Sequence, residues 1–545
     1  MTASAFHPNI ASIVAFHAQA EPARAALLFE GGSVLPDVTR TYGQLWQKAQ
    51  EVARGLRARG VGPGSVVAVL MANHAEFVEL MVAAALVRAT LVPIDPRTRG
   101  EKLAFMIGNS KASGVVTADY GLRHVEEVVE GGTPVDWIVA LATDEGPGRA
   151  LWGPRVEDHA RLRVAEGDDL PVPQDSGDEV MLIIHTSGTT GDPKGIVLTH
   201  RRYCETAAVA LRLFGYRQAD RLYSGLSLTH ANALQVTLAP ALLGGLHTVF
   251  SRRFTRSRLW SITRQYRCTT FTLLGGMTTT LYAEPPRPDD ADNPVRFVVS
   301  AGMPAAIWPK FEQRFGVKVL EFYGSAEGGL AANPVGVGPV GSIGRLAPNF
   351  TYRIVGDDGH DVPIGTPGEL WLRPADGSPF RIEYVGNPDA SAKKGEGGWL
   401  HMGDVVHEDA EGWLYFDYRQ GGGLRRNGDF ISPAYIEKAI AESGQVRDVF
   451  VYGVPAASGA PGEHDVIAAV VPIDARMLDV QGLFRICRDS LEANFVPSFI
   501  QVVSQIPKTA SEKPQERFLA EALKTHPQDV HVEDASHLVR KKANA

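Results

Sequence analysis

Residues 184–200, IHTSGTTGDPKGIVLTH, constrain this chain more than any other stretch. The apolar run at 180–184 has the length and branched side chains of a buried strand, and IVLT at 196–199 reads as a second one. Between them lie Thr186, Ser187, Gly188, Thr189, Thr190 and Gly191, followed by Asp192-Pro193-Lys194-Gly195. A loop of Gly, Ser and Thr lets backbone N–H groups close on a ligand, and its hydroxyls add donors. Such a concave donor set, with one Lys as a point charge, suits a polyphosphate. It is not the loop that places Gly-Lys-Ser/Thr at the start of a helix. Lys194 is followed by Gly195 and a strand-like run, which excludes a kinase or GTPase loop of that kind.

The rest of the chain supplies alternating layers. Thr41 is placed to cap a helix over 41–60, with apolar residues at Leu45, Ala49, Val52, Ala53 and Leu56 and Gly60 at its end. Short apolar runs at 66–71, 90–94, 115–117, 137–140 and 181–184 read as strands, and so do 221–226, 248–250, 270–274 and 297–300. Helical patterns between them predict an α/β body with parallel strands. From 341 to 418 Gly and Pro become frequent and strands short, so a β-rich subdomain is expected. Gly421-Gly422-Gly423 then interrupts the chain, and beyond it a helix at 433–443, strands at 446–454 and 466–472 and a helix at 481–493 predict a small α+β domain. The expected organisation is a large N-terminal domain at 1–420, a mobile small domain at 421–525 and a loose polar tail at 526–545.

Composition narrows the partners. With 545 residues, 44% hydrophobic and 21% charged, the chain is expected to be a soluble globular protein of two or more domains. A net charge of −8 without a long basic run argues against nucleic acid. Three scattered cysteines, Cys204, Cys268 and Cys487, offer neither a disulfide framework nor zinc spacing, so a reducing cytoplasm is expected. The start of the chain lacks a signal-peptide pattern. The apolar stretch at 77–87 contains Glu79 and is too short to span a bilayer.

The glycine–threonine loop resembles the phosphate loop of the adenylate-forming (ANL) superfamily, which includes acyl-CoA synthetases, luciferases and peptide-synthetase adenylation domains. The likeness covers roughly residues 20–520. SIGRLAPNF, FRIEYVGNPDASAKKGEGGWLHMGD and FRICRDSLEANFVPSFIQV make the C-terminal half most similar to the carnitine/crotonobetaine-CoA ligase branch.

The resemblance assigns roles residue by residue. Thr186, Ser187, Gly188, Thr189, Thr190 and Lys194 would hold the ATP phosphates. In Glu321-Phe-Tyr323-Gly324-Ser325-Ala326-Glu327, similar to the family's YGxTE element, Tyr323 would lie against adenine and Glu327 would hold Mg²⁺ on the triphosphate. Ala326 stands where the family usually has Thr or Ser. Gly302, Met303 and Pro304 resemble the turn at the adenine edge. Asp404, in WLHMGD, would accept from the ribose hydroxyls, with Met402 replacing the usual Thr. Arg419, in Asp417-Tyr418-Arg419, would reach ribose and α-phosphate. Here Tyr418 occupies the usual Asp place and Asp417 falls one residue early. Gly421 falls near the family's hinge, and Gly428 lies in the loop that lines the pantetheine tunnel. Arg425 and Arg426 would meet CoA phosphates or, equally, form a solvated basic pair. Lys513, in PKTASEK, matches the catalytic lysine, although Glu512 replaces a glycine. With Glu327, Thr186 and Lys194 it makes up the catalytic set. His230, Asn232, Gly276 and Gly302 fall along the acyl pocket.

These matches imply an AMP-forming acyl-CoA synthetase with ATP and CoA as co-substrates and Mg²⁺ as cofactor. Its partners would be a small carboxylic acid, ATP and CoA, with no membrane span, and a homodimer is compatible with these features. Two alternatives remain open at this stage. One is an adenylating enzyme that loads a carrier-protein thiol or stops at the adenylate. The other is a nucleotide-binding homologue that has lost catalysis through changes such as Ala326, Tyr418 and Glu512.

Overall fold

The computed structural model describes residues 9–32, 35–146, 148–149, 152–186, 192–282, 284–305, 307–356, 358–419, 424–427, 429–431, 433–457, 460, 463–507, 514 and 516–533. The chain divides into two compact units. One comprises Met1–Pro96, Gly100–Thr186 and Lys194–Gln420, the other Arg97–Arg99, Ser187–Pro193 and Gly421–Ala545.

The large unit is built on two mixed sheets with helices between and outside them. Among the described residues the first has nine strands, in the order Arg345–Leu346, Gly328–Asn333, Lys318–Ser325, Phe297–Ala301, Thr270–Leu274, Arg221–Ser224, His247–Ser251, Ala25–Glu30, Val38–Thr41. The second has seven, in the order Val156–Asp158, Trp137–Leu141, Gly114–Ala118, Val66–Leu70, Thr90–Ile94, Val180–Thr186, Lys194–Thr199. The interior pairings are parallel, as helix-connected strands require. The edges depart from the all-parallel expectation. Val38–Thr41, Gly328–Asn333 and Lys194–Thr199 pair antiparallel with their neighbours, because each follows or precedes its partner through a short connection that cannot cross the sheet.

Helix Ala75–Val87 explains how the two sheets stay together. It is apolar on every side, and every residue except Glu76 is buried. Its side chains join one core with Val67, Val69, Leu91 and Leu182 of the seven-stranded sheet and Leu27, Phe29 and Phe250 of the nine-stranded one. Glu79 is fully buried there, with Arg40 Nε at 2.7 Å and Arg163 Nη2 at 3.0 Å neutralising it. No helix among the described residues is long and apolar enough to cross a membrane. The expected capped helix is Tyr42–Ala58. Thr41 accepts from Gln44 N at 3.2 Å while the Gln44 side chain accepts from Thr41 N at 3.0 Å.

The β-rich stretch forms a four-stranded antiparallel sheet of Phe350–Val355, Gly368–Pro374, Leu400–Glu408 and Leu414–Arg419. In the small unit, Val446–Pro455, His464–Pro472, Phe499–Val502 and Val530–His531 form another. The last strand corrects the expectation of a loose tail from 526. Val530 and His531 add to the free edge of Phe499–Val502, and Glu533 accepts from Arg488 Nε at 2.7 Å. All three cysteines are buried and free, and burial pushes their thiols up to about 12.

Four histidines sit in this interior. Burial is the main influence on each, lowering His74 to about 3 and His159, His185 and His200 to about 4, from 6.5. The unfolded chain therefore takes up protons below pH 6.5 that the folded chain refuses, and the contribution of neutral His burial is lost as pH falls toward 4. Each such group costs up to about 1.4 kcal/mol per pH unit in that window. Denaturation midpoints measured from pH 7 to pH 5 should fall steeply. A flat profile over that range would show that these imidazoles are not held neutral.

Candidate active site

The polyphosphate-type loop is the connection of a β-hairpin. Strand Val180–Thr186 runs antiparallel to Lys194–Thr199 with Ile184 opposite Ile196, His185 opposite Gly195 and Thr186 opposite Lys194. Thr186 and Lys194 thus face each other at the mouth of the loop. Ser187, Gly188, Thr189 and Thr190 lie outside the described residues, as do Gly421, Gly428 and Lys513. The second strand is also bonded along its other edge. Val197 N donates to Glu383 O at 3.0 Å, Val385 N donates to Gly195 O at 2.8 Å, and Ile196 pairs with Tyr384. This places the Lys194 ammonium 5.4 Å from the centre of the Tyr384 ring. Both ring nitrogens of His185 are buried with no hydrogen-bond partner among the described residues. Burial first, then the charge of Lys102, keeps that imidazole neutral.

Glu327 sits at the tip of a second hairpin. Strands Lys318–Ser325 and Gly328–Asn333 pair with Ser325 opposite Gly328, leaving Ala326 and Glu327 as the two turn residues. Gly328 has φ +140°, and a Cβ there would come 2.8 Å from Phe380 Cζ, so only glycine closes this turn. Ser325 Oγ donates to Gly328 O at 3.1 Å. Arg202, in the first turn of helix His200–Leu213, donates Nη2 to Ala326 O at 3.1 Å and to Glu327 O. Burial lowers the Arg202 pKa, opposed by the charges of Glu327 and Tyr384. The buried Tyr384 hydroxyl donates to Glu327 Oε1 at 3.0 Å.

A third group lies at the nucleoside-type motifs. The Glu321 carboxylate, 2% exposed, accepts from the N–H groups of Gly302 and Met303, the latter at 3.1 Å. This fixes the turn through Gly302, whose φ is +93°, into Pro304. Gly324 continues the strand from Tyr323, whose hydroxyl donates to Asp404 Oδ2 at 2.5 Å. Asp404 pairs across the sheet with Arg419. Val405 pairs with Tyr418 but Val406 with Phe416, so Asp417 is the extra residue of a β-bulge. Its carboxylate lies 2.9 Å from His407 Nδ1. Gly403 N donates to Glu369 Oε1 at 2.9 Å, and Lys394 Nζ to Met402 O at 3.0 Å, so the backbone around Asp404 is held from two sides. The Met402 side chain packs into the core of the small antiparallel sheet.

Among the acyl-type residues, His230 Nε2 is 3.3 Å from Asp95 Oδ2. Asn232 opens the π-helical turn Asn232–Leu238, and Asn232 Oδ1 and Gln235 Nε2 are buried without partners. Gly276 lies in helix Gly275–Tyr282. In the small unit Arg426 donates Nη1 to the carbonyls of Val496 and, at 3.4 Å, Asn494, while Arg425 Nε is 3.6 Å from Glu463. Arg426 serves the unit's own backbone.

No three His, Cys, Asp or Glu side chains among the described residues converge on a metal site. Mg²⁺ commonly takes one or two carboxylates plus substrate phosphates. Glu327, beside the mouth strand that carries Lys194, fits that donor set. The partners that motif reading missed are Tyr384, Arg202, Glu321, Glu369 and Asp95. Tyr384, Arg202, Glu369 and Asp95 reach their sites from distant segments, and Glu321 braces a turn 18 and 19 residues upstream.

Residues 14–376 match the family model described as AMP-binding enzyme, and 435–513 match the model of the AMP-binding enzyme C-terminal domain. The chain is 27% identical over 503 residues to the crotonobetaine/carnitine–CoA ligase of Salmonella paratyphi A, covering 90% of this chain and 94% of that one. It is 29% identical over 502 residues to the indoleacetate–CoA ligase of Aromatoleum aromaticum, covering 91% and 94%. In fold it resembles the amide bond synthetase McbA of Marinactinospora thermotolerans, with TM-score 0.77 and 24% identity over 94% of this chain and 99% of that one.

Glu321→Gln should cost about 1–3 kcal/mol, because a neutral amide replaces a buried carboxylate that accepts two backbone N–H groups. Urea denaturation of the variant measures this. An unchanged midpoint would mean that Glu321 does not hold the Gly302–Met303 turn.

Proposed function

We propose that this chain, which belongs to the AMP-binding enzyme family and is an adenylate-forming ligase, is an ATP-dependent carboxylate–CoA ligase that forms AMP. What carries the reading is one arrangement in the large unit. Thr186 and Lys194 face each other at a donor-rich loop, Glu327 is tied through Tyr384 to the strand bearing Lys194, and Tyr323 meets Asp404. The relatives named as CoA ligases, matched over about nine-tenths of this chain, support thiol rather than another acceptor.

In the first half-reaction a carboxylate oxygen attacks the α-phosphorus of ATP. The bond from that phosphorus to the bridging oxygen of the β-phosphate breaks, and pyrophosphate leaves with the electron pair. The protein's task is positioning and compensation of charge on phosphate oxygens. Lys194 and the loop donors would bind the β- and γ-phosphates, while Asp404 would fix the ribose. Glu327 would hold Mg²⁺, which supplies positive charge along the triphosphate when bound. Lys513 would add its ammonium as pyrophosphate departs. In the second half-reaction the CoA sulfur attacks the acyl carbon, the acyl–oxygen bond breaks, AMP leaves and the thiol proton passes to solvent.

The two steps need different groups at one mouth. We read the small unit, from Gly421 onward, as a domain that alternates between them, presenting Lys513 for the first and the loop at Gly428 for the second. Arg425 is the arginine we assign to CoA phosphate, since Arg426 is committed to carbonyls of its own unit. Three buried, free thiols support a reducing cytoplasm as the site of action. Substrate identity is not set by the relatives, which act on acids as different as crotonobetaine and indoleacetate by their names.

The test is a panel of carboxylic acids scored for pyrophosphate release with ATP, then for thioester on addition of free CoA. At least one acid should give both products. Pyrophosphate without thioester would redirect the reading to a carrier-bound acceptor, and no pyrophosphate with any acid would remove it. Lys513→Ala should lower adenylation by roughly a hundredfold while sparing thioester formation from supplied acyl-AMP. Equal losses in both steps would show that Lys513 acts otherwise.

A further inference from the structure

We propose that Tyr384 is a positioning residue that sets the carboxylate of Glu327 for its metal and holds it at a fixed spacing from Lys194. The inference rests on the metal role read for Glu327 above and extends it to a residue given no role by the sequence motifs.

Three observations carry it. The main chain of Tyr384 is locked to the loop strand, with Val197 N bonded to Glu383 O at 3.0 Å, Val385 N bonded to Gly195 O at 2.8 Å and Ile196 paired with Tyr384 itself. Its side chain is 3% exposed and donates from the hydroxyl to Glu327 Oε1 at 3.0 Å. The Lys194 ammonium stands 5.4 Å from the centre of the same ring. One rigid ring therefore touches both charged groups. Its backbone is fixed by the strand that presents Lys194, and its far end fixes the carboxylate.

The glutamate needs such support. It sits on a two-residue turn, and a Glu side chain there has three rotatable bonds. Arg202 donates to the turn's carbonyls. A hydroxyl donor on Oε1 selects one carboxylate orientation. The ring face also gives the Lys194 cation a resting place of modest depth, from which a phosphate can draw it.

The test separates ring from hydroxyl. Tyr384→Phe keeps the ring and the packing; Tyr384→Leu removes both. Mn²⁺ is titrated into the full-length protein with a non-hydrolysable ATP analogue, and free Mn²⁺ is read by electron paramagnetic resonance. Tyr384→Phe should weaken Mn²⁺ binding about tenfold, the order found when an outer partner of a metal ligand is lost. Affinity for the analogue in EDTA should not change. Tyr384→Leu should weaken both, because Lys194 also loses its ring. In turnover, Tyr384→Phe should raise the Mg²⁺ half-saturation about tenfold with kcat at saturating Mg²⁺ near wild type.

Unchanged Mn²⁺ affinity in Tyr384→Phe, with a thermal midpoint like wild type, would overturn the proposal. So would an equal loss of analogue affinity in EDTA, which would mark the hydroxyl as structural only. If wild type takes up Mn²⁺ with the analogue and Tyr384→Phe loses it, yet no acid yields pyrophosphate, the positioning role stands and the ligase reading fails.

Discussion

The strand Lys194–Thr199 is bonded along both edges, and the rest of the site depends on that double pairing. One edge closes the hairpin that ends at Thr186, and the other carries Glu383–Val385. Each backbone bond contributes only about 1 kcal/mol net, but leaving a buried N–H or C=O unpaired costs more. The register is therefore set tightly, and with it the place of three side chains. Lys194 stands at the loop mouth, Tyr384 on the neighbouring segment, and Glu327 at the end of the Tyr384 hydroxyl. Moving the strand by one residue would turn Lys194 to the opposite face and break the link to the carboxylate.

Around that strand, fixed charges are paired before any substrate arrives. Glu321 holds two N–H groups, Asp404 receives the Tyr323 hydroxyl, and Arg202 satisfies the carbonyls of the turn that bears Glu327. Polar groups held in this way need little rearrangement when charge develops on a phosphate, which is the condition under which they contribute most. Among the described residues, the buried amide atoms Asn232 Oδ1 and Gln235 Nε2, both in the π-helical turn that follows His230, have no hydrogen-bond partner.

What the sequence made legible is local. The capped helix at Thr41, the apolar stretch at 77–87, the strand on each side of the loop and the string ending in Glu327 all announce themselves within a dozen residues. The long-range partners do not. Tyr384 lies 57 residues from Glu327, and Arg202 lies 125 residues from it. Nothing near either of them in the chain marks the contact. Glu321 stands inside a recognised string, yet its role is to brace a turn 18 and 19 residues upstream. Asp417, one residue early in the sequence, is the extra residue of a bulge, and Asp404 stays opposite Arg419. Antiparallel sheet edges and the late strand Val530–His531 escaped for a related reason. Short edge strands carry little hydrophobic pattern, since one side of each faces solvent or a loop.

The central claim is that this scaffold activates a carboxylate by transferring AMP to it. Exchange of labelled pyrophosphate into ATP tests that most directly, because it reports the reversible first step without CoA and without any later transfer. The account predicts exchange that requires a carboxylic acid and Mg²⁺ and proceeds with CoA absent. An acid that yields thioester with CoA but supports no exchange without it, or nucleotide consumption that ends in ADP and phosphate, would contradict it.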